Sequence, residues 1–391
     1  MDVLIAFGLA AFVYSLLAAR LEKWWISAPL ASAAAGLLVS ESGLGLVELA
    51  PEREMVVLLA ELTLVLVLFT DAARINPRAS RGEPGAPIRL PIRLLGIGMP
   101  LTIALGALAA LWMFDALELW EAALLAVVLA PTDAALGQPV VTSPAVPVRV
   151  RRSLNIESGL NDGLAVPFVF LFVALAGPED AGGPGFWARF VAEQIGIGAL
   201  VGIGAGLLGG VLLSWAVRHG AAGDLWEGVA VIALPLSIFA GADLLGGNGF
   251  IAAFVGGAMF GRLCGAGRRR RLLLFSESEG HLLELAIFFT FGLAFMPVVI
   301  DDISWSAGVY AVLSLTVLRM LPVVIATLGA GIDLRTVLFL GWFGPRGLAS
   351  LVLALIILEE GEVAASEQIV VVAGLTVAAS IGLHGLSATP L

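Results

Sequence analysis

The sequence predicts an all-α polytopic membrane protein of about 13 transmembrane helices, with the N-terminus outside and the C-terminus in the cytoplasm. Three observations carry this. Of the 391 residues 59% are hydrophobic and 13% charged, with mean hydropathy +1.01, which excludes a water-soluble globular protein. Apolar runs long enough to span a bilayer recur along the whole chain. Finally, Lys and Arg are sorted into alternate loops, as the positive-inside rule requires of a correctly counted set of spans.

The runs are 3–19, 26–40, 54–71, 91–113, 120–142, 154–176, 187–215, 226–244, 247–263, 280–299, 304–328, 334–358 and 367–385. The first has no basic segment before it and no small-residue cleavage site after it, so it reads as a retained helix and not a signal peptide. Run two is short and rich in Ala and Ser, and run three carries Glu61 toward its outer end. Run five is interrupted by Pro131 and Pro139, and run six holds NIESGLNDG. In run seven Gly198, Gly202, Gly206 and Gly210 form a small-xxx-small ladder, suited either to packing within the chain or to a dimer interface. Run eleven carries Arg319, and run twelve is interrupted at GWFGPRGLAS.

Loops after odd-numbered runs hold the basic residues, among them Arg20, Lys23, Arg74, Arg149, Arg151, Arg152, Arg218, Arg262, Arg268 to Arg271 and Arg335. The alternate loops hold Glu and Asp, with Arg53 and Arg189 as the exceptions. The net charge of -10 is therefore a sum over sorted loops and names no partner. At a cytoplasmic helix end the Arg268 to Arg271 run is a topology determinant and not a nucleic-acid patch. Cys264 is alone, so no internal disulfide forms. His219, His281 and His384 are scattered near predicted loops or the tail and do not suggest a metal site.

With thirteen spans, helices 1 to 6 and 8 to 13 make two six-helix units of opposite orientation, the inverted-repeat plan of secondary transporters. Helix 5 then corresponds to helix 12, and both are interrupted. Sites in such proteins lie where matching helices break.

Away from the ends of the runs the charged residues are Glu61, Asp133, Glu157, Asp162, Arg319 and Arg346. Carboxylates at that depth are costly enough to mark a functional site. A fifth helix ending near Thr142 would put Asp133 ~14 Å from the membrane edge, and Asp162 lies equally far past Ser153, close to half of a ~30 Å hydrocarbon core. On helix 6 Glu157 and Asn161 share one face, while Ser158 and Asp162 share the next. One face can hold an arginine while the other joins Thr132 and Asp133 in an all-oxygen set suited to a hard monovalent cation. Three carboxylates against Arg319 and Arg346 leave one negative charge, room for one cation or one proton, provided both arginines reach the cluster.

APTDAALGQP followed by NIESGLNDG resembles the monovalent cation/proton antiporters of the CPA1 type, which include bacterial NhaP-like and animal Na⁺/H⁺ exchangers. LFTDAARI at 68–75, GNGFIAAFVGG at 247–257, VLRMLPVV at 317–324 and GPRGLASL at 344–351 extend the likeness over nearly the whole chain. The resemblance implies an elevator-like homodimer in a bacterial-type inner membrane, acting in pH homeostasis and needing no cofactor. It implies core helices over about 91–176 and 304–385, scaffold and dimerisation helices over about 1–71 and 187–299, and crossed broken helices 5 and 12. Carried over, Thr132, Asp133, Ser158 and Asp162 are cation and proton ligands, and Glu157 with Arg319 is a stabilising pair supported by Asn161. Arg346 reads as structural or gating, and Glu61 as a more distant support of the site. Asn161 before Asp162 is similar to the electroneutral one-for-one exchangers. One departure stands out: the usual Thr-Asp-Pro reads Thr132, Asp133, Ala134, with Pro131 preceding.

The cation is read as Na⁺, with Li⁺ and K⁺ as alternatives. A passive cation channel is a second reading. An intramembrane aspartyl protease built on Asp133 and Asp162 is a remote third, since Ser158, Asn161 and Arg319 have no part in it.

Overall fold

One helix stands on each of the runs read from the sequence. The computed structural model describes residues 2–21, 24, 26–47, 53–74, 89–133, 136, 143, 146–177, 189–263, 280–360 and 363–387. In order the helices are α1 (Val3–Leu21), α2 (Ala28–Val39), α3 (Arg53–Arg74), α4 (Arg89–Met113), α5 (Leu119–Val128), α6 (Val148–Ala176) and α7 (Arg189–Arg218). There follow α8 (Asp224–Leu244), α9 (Gly249–Leu263), α10 (Gly280–Asp301), α11 (Trp305–Thr327), α12 in two halves (Leu334–Trp342 and Leu348–Glu360) and α13 (Ser366–Ser387). Among the described residues nine helices are long and apolar enough to cross a membrane, and four shorter apolar ones accompany them.

Two boundaries differ from the sequence reading, and both bear on the site. α5 ends at Val128, so Pro131 to Asp133 are already outside a helix. The rest of the predicted run, Pro139 and Ala134 included, lies outside the described residues. α6 starts at Val148 and not at 154. Pro147 supplies the fixed φ of a helix start and nothing in VRVRR breaks the turn, so Arg149, Arg151 and Arg152 are helical, not loop, residues. At 29 residues α6 is ~43 Å long, enough to carry these arginines past a ~30 Å hydrocarbon core.

The glycine ladder of α7 packs within the chain. Gly198, Gly202, Gly206 and Gly210 are all buried. A Cβ on Gly202 would lie 2.5 Å from the Ala252 carbonyl of α9, and one on Gly206 would overlap the Gly256 backbone. α9 repeats the device toward α3, where side chains at Gly257 and Gly261 would strike the Phe69 and Ala73 carbonyls. Thus α7, α9 and α3 meet backbone to backbone, and α3 packs in turn on α6, with Asp71 Cβ 3.4 Å from where a Gly159 side chain would begin. α1 packs on α10 along one face, through Ala6 and the Phe7–Phe289 ring pair, and leaves Leu4, Leu9, Phe12 and Leu16 exposed.

Contacts between helix ends agree with the side assignment drawn from the loops. Arg93 at the start of α4 and Arg149 at the start of α6 donate to the Leu328 and Ala330 carbonyls just past α11. Cations there suit the negative end of the α11 dipole. Nearby, Asp333 caps α12 by accepting from the Thr336 hydroxyl and N–H, donors that hold its carboxyl below the usual carboxylate range. On the opposite side Glu121 accepts the Glu118 N–H at the start of α5 and the Ala365 N–H before α13, both at 2.9 Å.

Candidate functional site: two helix breaks that cap each other

The site is built where the two interrupted helices meet. Beyond Val128 the chain of α5 runs on without helix through Asp133, and between the halves of α12 the same holds for 343–347. The two stretches are joined by a hydrogen bond from the Asp133 N–H to the Pro345 carbonyl, at 2.7 Å. Each break exposes helix-end groups that need partners. Asp133 Oδ2 accepts the Leu348 N–H at 3.0 Å, placing a carboxylate at the positive end of the second half of α12. Arg346, fully buried, donates from Nη1 to the Ala130 and Pro131 carbonyls at the negative end of α5. Each break thus caps the other with a charge of the right sign.

This explains GPRG. A Cβ on Gly347 would overlap the Asp133 carboxylate, and one on Gly344 would sit 2.6 Å from Arg319 Nε. Only glycine lets Asp133 and Arg319 come so close to the backbone.

From α6, Glu157 Oε1 meets Arg319 Nη1 at 2.6 Å, both side chains almost wholly buried. Arg319 lies three residues after Thr316, where α11 is interrupted, as its repeat partner α4 is by a π-helical turn at Leu94–Gly98. From the next residue the Ser158 hydroxyl donates to the Thr132 carbonyl, and one turn along α6 Asn161 Nδ2 donates to Thr132 Oγ1 at 2.7 Å. Asp162 is buried as well, yet among the described residues its Oδ1 accepts no hydrogen bond. A buried carboxylate oxygen without a donor is uncommon, because the lost hydration goes unreplaced.

The structure therefore brings Thr132, Asp133, Glu157, Ser158, Asn161, Asp162, Arg319 and Arg346 into one neighbourhood. Two placements refine the sequence reading. Asn161 holds Thr132 and not the Glu157–Arg319 pair. Arg346 is spent on the end of α5, so it is a cap within the break. Glu61 lies ten residues before Asp71 on α3, ~15 Å along the axis, and Asp71 is the α3 residue that packs against α6 at Gly159. Asp71 also lies close enough for its charge to act on Asp162, as does Asp133, and it pairs with Arg74 at 3.5 Å. The sequence reading passed over Asp71 because it closes the predicted run 54–71, where an acidic residue passes for a helix end; its signal was the LFTDAARI stretch itself.

Residues 8–391 match the family described as "Sodium/hydrogen exchanger, transmembrane". The chain belongs to that family. As a sodium/hydrogen exchanger family member it is an integral membrane protein. Among relatives of this family, the chain is 26% identical over 324 residues to the K(+)/H(+) antiporter NhaP2 of Shewanella sp. (strain MR-4), a match covering 82% of this chain and 54% of the relative. It is 27% identical to the K(+)/H(+) antiporter NhaP of Alkalimonas amylolytica, with the same coverage. The chain spans about half the length of the curated relatives it matches. Its fold is that of the sodium proton antiporter MjNhaP1 from Methanocaldococcus jannaschii at pH 8, with TM-score 0.78, 20% identity and 99% of each chain covered.

Proposed function

We propose that this chain is a secondary transporter exchanging a monovalent cation for H⁺, with both competing for Asp162. The observation that carries the reading is the buried Asp162 carboxylate, whose Oδ1 has no donor among the described residues, beside the oxygen-rich break of α5. Around it the other charges have partners: Glu157 has Arg319, Asp71 has Arg74, Arg346 has the end of α5, and Asp133 the start of the second half of α12. One positive charge is then wanted at Asp162, and a proton or a cation supplies it, but not both. Competition for one place gives one-for-one exchange, with no net charge moved.

The cation ligands in this reading are Asp162, Asp133, Ser158 and the carbonyl of Thr132, with Glu157, Asn161 and Arg319 holding the frame. Oxygen ligands alone suit Na⁺, Li⁺ or K⁺. The solved relative is a sodium proton antiporter, while the curated relatives are K(+)/H(+) antiporters, which makes K⁺ the second candidate on a specific observation. The family is one of transporters, so the aspartyl-protease reading has no remaining support. We further assign α4 to α6 and α11 to α13 to a moving core, and α1 to α3 and α7 to α10 to a scaffold that associates as a homodimer.

Reconstituted vesicles with a pH-sensitive dye inside test the proposal. Imposed Na⁺, Li⁺ or K⁺ gradients should each be tried, with Asp162→Asn in parallel. Cation-driven proton movement that the substitution abolishes and that an imposed membrane potential neither speeds nor slows is the expected result. Cation flux without counter-moving H⁺ would establish a channel instead, and a clear voltage dependence would refute one-for-one exchange.

A further inference from the structure

Trp342 is the last residue of the first half of α12, and Arg346 stands within the break, two residues before its second half. Both residues are tied to a single turn of α13. The Arg346 backbone N–H donates to Ser380 Oγ at 2.7 Å. Ser380 Oγ lies 3.2 Å from His384 Nδ1, and His384 Nε2 lies 2.9 Å from the Trp342 carbonyl oxygen. Ser380 and His384 are both buried, at 0% and 1% exposure, and sit four apart, so they share one face of α13. None of these contacts touches the candidate cation ligands.

The proton positions follow from what each group can do. A carbonyl only accepts, and each ring nitrogen of His384 has one beside it, Trp342 O at 2.9 Å from Nε2 and Ser380 O at 3.1 Å from Nδ1; the shorter contact takes the single proton of the neutral ring, on Nε2. In the neutral ring Nδ1 is then an acceptor, and Ser380, already accepting from Arg346, uses its own O–H to serve it. The chain runs one way: Arg346 N–H to Ser380 Oγ, Ser380 O–H to His384 Nδ1, His384 Nε2–H to the Trp342 carbonyl. It closes a ring around Phe343, Gly344 and Pro345, the residues that meet Asp133 and Arg319.

We propose that Ser380 and His384 are positioning residues for transport: they staple the α12 break, at Trp342 and at Arg346, to α13 and so fix where Pro345 and Leu348 hold Asp133. This rests on the exchange reading of the site. The sequence showed His384 only as a residue near the tail, while the structure makes it, with Ser380, a bridge between Trp342 and Arg346.

The test is cation-driven proton movement in vesicles, read as KM and maximal rate for wild type, His384→Gln, His384→Leu and Ser380→Ala, with protein quantity and thermal midpoint measured alongside. Gln keeps a donor where Nε2 stands and should stay within about twofold of wild type in KM. Leu and Ser380→Ala remove a link of the ring, and each should raise the cation KM by about tenfold, the ~1.4 kcal/mol of one lost hydrogen bond. If His384→Leu fails to fold, Ser380→Ala decides. A cation KM within twofold of wild type in every folded variant overturns the proposal, as does His384→Gln behaving like His384→Leu. Wild-type vesicles that move no protons under any cation gradient would instead sink the exchange reading itself.

Discussion

At the scale of single residues the site is a set of mutual compensations, and the sequence showed its members more clearly than their partners. Glu157, Asp162 and Arg319 announce themselves because charge inside an apolar run is rare. What a sequence lacks is direction. Arg346 looked like part of the charge count of the cluster, yet its guanidinium lies on the Ala130 and Pro131 carbonyls, an interaction between residues more than two hundred positions apart. The Glu157–Arg319 pair makes a prediction at this scale. Arg319→Met leaves Glu157 buried and unpaired, and should lower stability by about 3–5 kcal/mol, seen as a lower thermal midpoint in detergent. Removing both charges, as Glu157→Leu with Arg319→Met, should restore much of that midpoint. A double variant as unstable as the sum of the two single ones would contradict the pairing.

At the scale of elements, the helices were legible and the breaks only half so. Apolar length alone located every helix, because in lipid the backbone must satisfy itself within each span. Pro131 and GPRG marked the interruptions, but that the two interruptions touch is a matter of packing, which no local pattern encodes. The start of α6 was misplaced because three arginines read as a loop, while a helix longer than the hydrocarbon core can carry them outside it. The α7 ladder was ambiguous for a similar reason: small residues show that something approaches closely, not what. The structure identifies α9. Gly206→Leu should therefore push α7 off α9 and cost about 1–3 kcal/mol as overpacking does, again read as a thermal midpoint. An unchanged midpoint combined with loss of self-association would mean that the ladder serves a second copy instead.

At the scale of the whole molecule, the alternation of basic and acidic loops and the contacts between helix ends give the same arrangement of sides. Arg93 and Arg149 gather at the end of α11 on the side assigned to the cytoplasm, and Glu121 joins α5 to the turn before α13 on the other. Between these two sides lies Asp162, a buried carboxylate with Asp71 and Asp133 near enough for their charges to act on it. That residue links the fold to its proposed work: a protein built to leave one negative charge uncompensated near mid-depth accepts either kind of positive charge in turn. Proton release on cation binding is the most direct measure of this. Purified protein in weakly buffered detergent solution, titrated with Na⁺ or K⁺ over a range of pH beside a pH indicator, should release up to one proton per chain, and Asp162→Asn should release none. Cation binding at every pH without release of a proton, or equal release from Asp162→Asn, would contradict the account.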